Sequence, residues 1–115
     1  AVAEQYNSES DIDRHIRAAR RSGLGIDEIA LAREFDSRDF KHAALLRYLK
    51  VVLEERGGVP VYLHEEAREA GWNDEELLEA LAFASLEGFS ALINVAGDVP
   101  TDGSHESSRE LAEAA

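Results

Sequence analysis

The chain contains no cysteine and no methionine in its 115 residues. A protein without cysteine can form neither a disulfide bond nor a metal site built on thiolates. Because a small secreted domain usually depends on disulfides, we expect a cytoplasmic protein. The chain opens with helix-like residues and has no methionine at position 1. We therefore expect that its N-terminus is truncated.

Basic residues are also scarce. Twelve lysines and arginines stand against 24 aspartates and glutamates, which gives a net charge of −12. This charge repels nucleic-acid phosphates and anionic lipids, so we expect no nucleic-acid partner. The sequence lacks a charge-free apolar run of about 18 residues, the usual minimum for a membrane span. The nearest candidate, residues 77–96, carries Glu79 and Glu87, and we expect no membrane partner.

Proline occurs only at Pro60 and Pro100, and runs of β-branched residues are absent. Apolar residues recur at helical spacing, which predicts an all-α fold. We expect one helical domain over residues 1–100, followed by a flexible or weakly helical tail over 101–115. The predicted helices cover residues 1–6, 9–22, 26–34, 37–56, 60–70 and 74–97.

Two of these helices have recognisable start signals. Asp36 or Ser37 can cap the fourth helix by accepting a hydrogen bond from a free backbone N–H. Asn73 can cap the last helix, and Glu76 is placed to reach back to the backbone of the capping residue. These signals fix the expected beginnings of the two longest helices.

The last predicted helix carries two apolar stripes, which implies burial on two sides. We interpret this as a subunit interface of a homo-oligomer, with Gly88 and Ala91 allowing close approach of a neighbouring helix. The alternative is a central core helix within a monomer. The first stripe contains Leu77, Leu81, Ala84, Gly88, Ala91, Leu92 and Val95, and the second contains Leu78, Ala82, Phe89, Ile93 and Ala96.

Residues 7–15 read Asn-Ser-Glu-Ser-Asp-Ile-Asp-Arg-His. Ser8, Asp11 and His15 occupy the three fixed positions of a Cys-x-x-Cys-x-x-x-His pattern, so both cysteines are replaced. In this spacing the chain resembles the alkylhydroperoxidase-D-like (carboxymuconolactone decarboxylase) family, and the resemblance covers about residues 1–100. Three further segments also resemble this family, namely residues 39–53, 66–80 and 89–94.

The resemblance implies an AhpD-like all-α fold that assembles into trimers or hexamers. It also implies a peroxidase chemistry in which one thiolate is oxidised and the second resolves it, while the histidine and an upstream glutamate move protons. That glutamate would precede residue 1. Because serine and aspartate cannot pass through a sulfenate and a disulfide, we expect no thiol peroxidase activity from Ser8 and Asp11.

A cofactor-free reaction is the first hypothesis for the residues that remain. Ser8, Asp11 and His15 share one helix face, and Asp11 beside His15 would raise the pKa of the imidazole. The pair could then act as general acid and base. The decarboxylase branch of the family implies small lactones or keto acids as substrates, so the expected partner is a small acidic or lactone-type ligand. We expect neither a cofactor nor a metal.

Other interpretations of the same residues stay open. Ser8 could simply cap the helix with Asp11 adding favourable charge to its first turn, which would leave a non-catalytic domain kept for assembly or interaction. An antioxidant protein related to the family is a further alternative. Asp11 and His15 could also supply two metal ligands, with Glu4 or Glu9 as a third.

Several residues outside the motif can contribute to a site. His42 lies on a widely apolar helix and can line the same pocket as His15. Glu87, Ser90 and Asn94 form a polar stripe on the last helix, and buried polar groups must find partners. These three residues either bond across a subunit interface or line the pocket that faces His15. We expect His64 to lie at a surface or interface and Trp72 to act in packing.

Overall fold

The computed structural model describes residues 1–98, and this part of the chain is all-helical, with no strand among the described residues. The all-α prediction is therefore confirmed there, while the predicted tail at 101–115 lies outside the described residues. The helices are α1 (Val2–Gln5), α2 (Glu9–Arg21), α3 (Ile26–Arg33), α4 (Phe40–Glu54), α5 (Val61–Glu69) and α6 (Asp74–Ala96).

Capping explains where the two longest helices begin. The side chain of Asn73 accepts a hydrogen bond from the backbone N–H of Glu76, whose side chain accepts one from the backbone of Asn73. The predicted capping box of α6 is therefore confirmed. Helix α4 begins later than predicted, because Asp39 is the residue that caps it, with its carboxylate 3.0 Å from the backbone nitrogen of His42.

The residues predicted to cap α4 serve the preceding loop instead. The Asp36 carboxylate accepts from the backbone N–H of Ser37, and the Ser37 hydroxyl donates to Glu28 on α3 while accepting from the backbone N–H of Asp39. The prediction of a cap at Asp36 or Ser37 is thus wrong, because their side chains are committed to the α3–α4 connection.

The central core lies where α4, α5 and α6 meet. Its buried side chains are Tyr48, Leu49, Ala67, Leu77 and Ala84. Burial of each large apolar side chain stabilises the folded state by roughly 1.5–3 kcal/mol. This burial holds the three helices together.

Trp72 and His64 lie beside this core. Trp72 packs against it, and its indole N–H donates to the backbone carbonyl of Lys41 over 2.7 Å, which agrees with the predicted packing role. His64 is half-buried on α5, with its ring 5.6 Å from that of Tyr48.

Helix α1 and the turn after it pack on one face of α6, at small residues. A Cβ atom added at Gly88 would lie 3.0 Å from the hydroxyl of Tyr6, and Ala91 is fully buried. We predicted that these two positions would admit a helix of a second subunit. The structure instead uses Gly88 for the close approach of Tyr6 from the same chain.

The opposite face of α6 is exposed and apolar. Only 17% of its most apolar stretch is buried, so α6 is not the enclosed core helix that we considered for a monomer. By length and composition α6 could also cross a membrane, although core helices of soluble proteins pass the same test. The exposed large side chains of α6 are Leu78, Phe83, Leu86, Phe89, Leu92, Ile93 and Val95.

Candidate functional site

Helix α2 begins with a hydrogen bond between two side chains. Ser8 stands at the N-cap position, yet its hydroxyl makes no capping bond to the backbone. It donates instead to Oδ2 of Asp11 over 2.5 Å. The interpretation of Ser8 as a helix cap is therefore wrong in its chemistry, because the hydroxyl serves a carboxylate rather than a free backbone N–H.

Asp11 is the most deeply buried charged residue of the described chain, with 1% of its surface exposed. Four side chains donate to its two oxygens. Oδ2 accepts from Ser8 and, over 2.8 Å, from the amide of Asn94, while Oδ1 accepts from Arg14 over 2.7 Å and from Ser90 over 3.4 Å. We call these five residues the Asp11 cluster. The cluster joins α2 to α6.

The Asp11 cluster stabilises the carboxylate form of its central residue. Burial by itself would raise the pKa of Asp11, but the hydrogen bonds from Ser8 and Asn94 and the charges of Arg14 and His15 outweigh it, so the pKa is lowered. Asp11 is therefore an anion at neutral pH. A permanently ionised carboxylate cannot donate a proton, and it can act on chemistry only through its charge and its hold on its neighbours.

His15 takes its hydrogen-bond partner from α6. Its Nε2 lies 2.7 Å from Oε2 of Glu87, whereas we predicted that Asp11 would be the partner within α2. The reason is that both Asp11 oxygens are already occupied by the cluster. Because His15 is 48% and Glu87 is 33% exposed, this pair, unlike Asp11, remains open to small molecules.

The polar stripe of α6 faces α2 within the same chain. Glu87 bonds to His15, and Ser90 and Asn94 bond to Asp11. Of these three residues only Glu87 lines the pocket at His15, as one of our two interpretations has it, whereas Ser90 and Asn94 are not among the lining residues. The salt bridge from Arg14 to Asp11 was missed, although the spacing of three residues on a helix was a signal for it.

A cavity of about 640 Å³ opens beside the His15–Glu87 pair. His42 also lines it, which confirms the prediction that His42 and His15 share one pocket. The cavity lies between the N-terminal residues and helices α2, α3 and α4. Its apolar lining includes Val2, Ile12, Ile16, Leu24, Ile29, Leu45 and Leu46.

Asp11, His15 and Glu87 could in principle hold a metal ion, since one ligand atom from each lies within 4.8 Å of the others. This set replaces our predicted third ligands, because Glu4 pairs with Arg33 and Glu9 is exposed. The guanidinium of Arg14 opposes metal binding. It lies 2.7 Å from Asp11 and 3.8 Å from Glu87, so it already supplies the positive charge there.

The chain matches no protein-family model, and neither the curated proteins nor the solved structures compared with it include a match. The AhpD-like resemblance of residues 7–15 therefore stays a prediction.

Proposed function

We propose that this protein binds a small organic molecule in the cavity beside His15 and acts on it by cofactor-free general acid/base chemistry. The observation that carries the proposal is the His15–Glu87 pair, with its 2.7 Å contact at the edge of a largely apolar cavity. A few convergent polar groups in an apolar pocket are typical of ligand sites. The resemblance to the alkylhydroperoxidase-D-like family favours a lactone or keto acid as the ligand.

His15 is the residue that would move the proton. In the tautomer whose Nε2–H donates to Glu87, Nδ1 carries the lone pair that accepts a proton. The Glu87 carboxylate then stabilises the imidazolium that forms, as a carboxylate does for a catalytic histidine in other proteins. Histidine is the side chain that most often transfers protons in enzymes.

Asp11 and Ser8 would have supporting roles. Asp11 stays ionised, and it fixes Ser90 and Asn94 on the same α6 face as Glu87. Ser8 holds Asp11 in place. Of the three residues that we predicted as catalytic, His15 is proposed as the base, and the other two position the helices that carry His15 and Glu87.

Peroxide reduction is the activity that we do not propose, although the resemblance suggests an antioxidant protein. The thiol mechanism that the resemblance implies needs a sulfur that can be oxidised and then recovered. The chain contains neither cysteine nor methionine.

A thermal-shift screen of small lactones and keto acids tests the proposal. A ligand of the cavity should raise the melting temperature of the parent by several degrees but not that of His15→Ala or Glu87→Gln. His64→Gln, which alters a histidine outside the cavity, should respond like the parent. Each stabilising compound is then assayed for turnover. The proposal fails if every hit stabilises His15→Ala as much as the parent.

The second proposed function is assembly, and the exposed apolar face of α6 favours it. Seven large apolar side chains lie exposed on this one helix, and an apolar surface of this extent usually marks an interaction site. We propose a second copy of this chain as the partner, in a trimer or hexamer as the resemblance suggests. In a closed symmetric assembly every copy buries the same patch.

Light scattering coupled to size-exclusion chromatography measures the assembly directly. Phe89→Glu places a charge in the middle of the α6 face and should yield monomers. Phe40→Glu, at an equally exposed apolar position on α4, is the matched control and should keep the parent mass. A parent that is monomeric, or that floats with lipid vesicles, would contradict assembly through α6.

A further inference from the structure

The cavity beside His15 is lined by an excess of acidic groups. Four carboxylates border it, those of Glu4, Glu28, Asp36 and Glu87, whereas Arg33 is the one lysine or arginine among its described lining residues. His15 and His42 also line the cavity.

In the described part of the chain, two of these carboxylates form no direct salt bridge, although the charge of Asp36 also acts on Arg47, whose pKa is raised first by its hydrogen bond to Glu66 and further by Asp36. Glu4 forms a salt bridge with Arg33, and Glu87 contacts His15. Within residues 1–98, neither Glu28 nor Asp36 forms a salt bridge. Glu28 accepts from the Ser37 hydroxyl and the backbone N–H of Arg38, and Asp36 accepts from a backbone N–H. These contacts hold both negative charges in place without neutralising them.

We infer that the ligand of this cavity carries no negative charge, and that an uncharged lactone rather than a keto acid or another carboxylate is its substrate class. The inference rests on the proposed function and narrows the two substrate classes named there to one.

The physical reason is charge repulsion combined with the apolar lining of the cavity. A carboxylate that contacts this lining loses part of its hydration, which costs free energy unless a cation or hydrogen-bond donors replace the water. Arg33 is already paired, and the charges of Glu28 and Asp36 repel a further anion. An uncharged lactone ring has no charge to desolvate and is not repelled by the carboxylates. Its ester carbonyl can still accept a hydrogen bond.

Binding of δ-octalactone and octanoate to the parent protein tests this inference, because the two probes share eight carbons and differ in charge. Ligand-observed NMR at pH 8 and low salt gives both affinities and also reports conversion of the lactone. We expect octanoate to bind at least about tenfold more weakly. The difference should shrink at high salt, because salt screens charges that are not deeply buried.

Two double variants separate the cavity charges from the overall charge of −12. Glu28→Gln with Asp36→Asn removes the two cavity carboxylates that form no salt bridge. It should reduce the difference in affinity between the lactone and octanoate to less than about threefold. Glu65→Gln with Glu69→Gln removes two exposed charges on α5 and should leave the difference unchanged. Both variants keep similar side-chain shapes and have the same net charge.

If the parent binds octanoate as tightly as the lactone and His15→Ala binds neither, the cavity functions but our substrate class is wrong. If both double variants narrow the difference equally, overall charge explains it and the inference also fails. If the parent binds neither probe, nor any compound of the thermal-shift screen, the proposed function itself is wrong.

Discussion

Asp11 on α2 and Glu87 on α6 are carboxylates on facing helices, and they differ in burial and in hydrogen bonding. Asp11 is buried and accepts hydrogen bonds from four side chains, which satisfy both of its oxygens. Glu87 is one-third exposed, contacts His15 and borders the cavity. The more deeply buried charge is therefore not the one best placed for chemistry. Because both oxygens of Asp11 already accept hydrogen bonds, this residue serves the structure. Because Glu87 is only partly enclosed, its carboxylate can still act on a ligand.

Asp11→Asn should produce the largest loss of stability among changes to this site. The substitution replaces an accepting oxygen with an N–H₂ group that faces donors, and it leaves buried polar groups without partners. We expect the free energy of unfolding to fall by about 2–4 kcal/mol, measured by urea denaturation. Glu87→Gln can still bond His15 and should cost less than about 1 kcal/mol.

Asp13→Asn is the matched control on the same helix. Asp13 forms an exposed salt bridge with Arg17, and such pairs contribute about 0–1 kcal/mol. Equal losses in Asp11→Asn and Asp13→Asn would contradict the structural role that we assign to the Asp11 cluster.

The helices could be predicted from sequence because their signals are local. Apolar spacing and the Asn73–Glu76 capping box lie within a few residues of the elements that they define. The start of α4 was misplaced because Asp36, Ser37 and Asp39 are all good capping residues. The choice among them depends on Glu28, a residue of another helix that engages Ser37.

The site was only partly predictable because its contacts span the chain. Ser8, Asp11 and His15 were found by spacing alone, but Asp11 meets Asn94 across 83 positions and His15 meets Glu87 across 72. A polar stripe on an otherwise apolar helix was the available signal for these partners. It indicated that α6 must face polar groups, but not which carboxylate would engage the histidine.

The pH dependence of stability tests whether the charge of Asp11 stabilises the fold. The pKa of Asp11 is lowered in the folded protein, whereas an unfolded aspartate has a pKa of about 3.9. Its contribution is therefore fully present above the unfolded pKa and is lost as the pH falls through the lower, folded pKa. Urea denaturation should show a constant stability gap between the parent and Asp11→Asn above about pH 5, which narrows below about pH 4.

Other acidic groups also titrate in this range, so the informative quantity is the difference between two proteins. A gap for Asp11→Asn that stays constant down to pH 2 would show that the charge of Asp11 contributes nothing, and that its shape alone matters.

The donors from α6 should have unequal effects, because they approach Asp11 at different distances. Asn94 donates over 2.8 Å, a normal hydrogen bond, and Ser90 lies at 3.4 Å, near the limit of one. Asn94→Ala should cost about 1–2 kcal/mol in urea denaturation. Ser90→Ala should be close to neutral, because alanine gains up to about 0.5 kcal/mol of helix propensity against the loss of a weak bond. If Ser90→Ala costs as much as Asn94→Ala, the hydroxyl binds Asp11 more strongly in solution than its distance indicates, and both donors share the task of fixing α6 against α2.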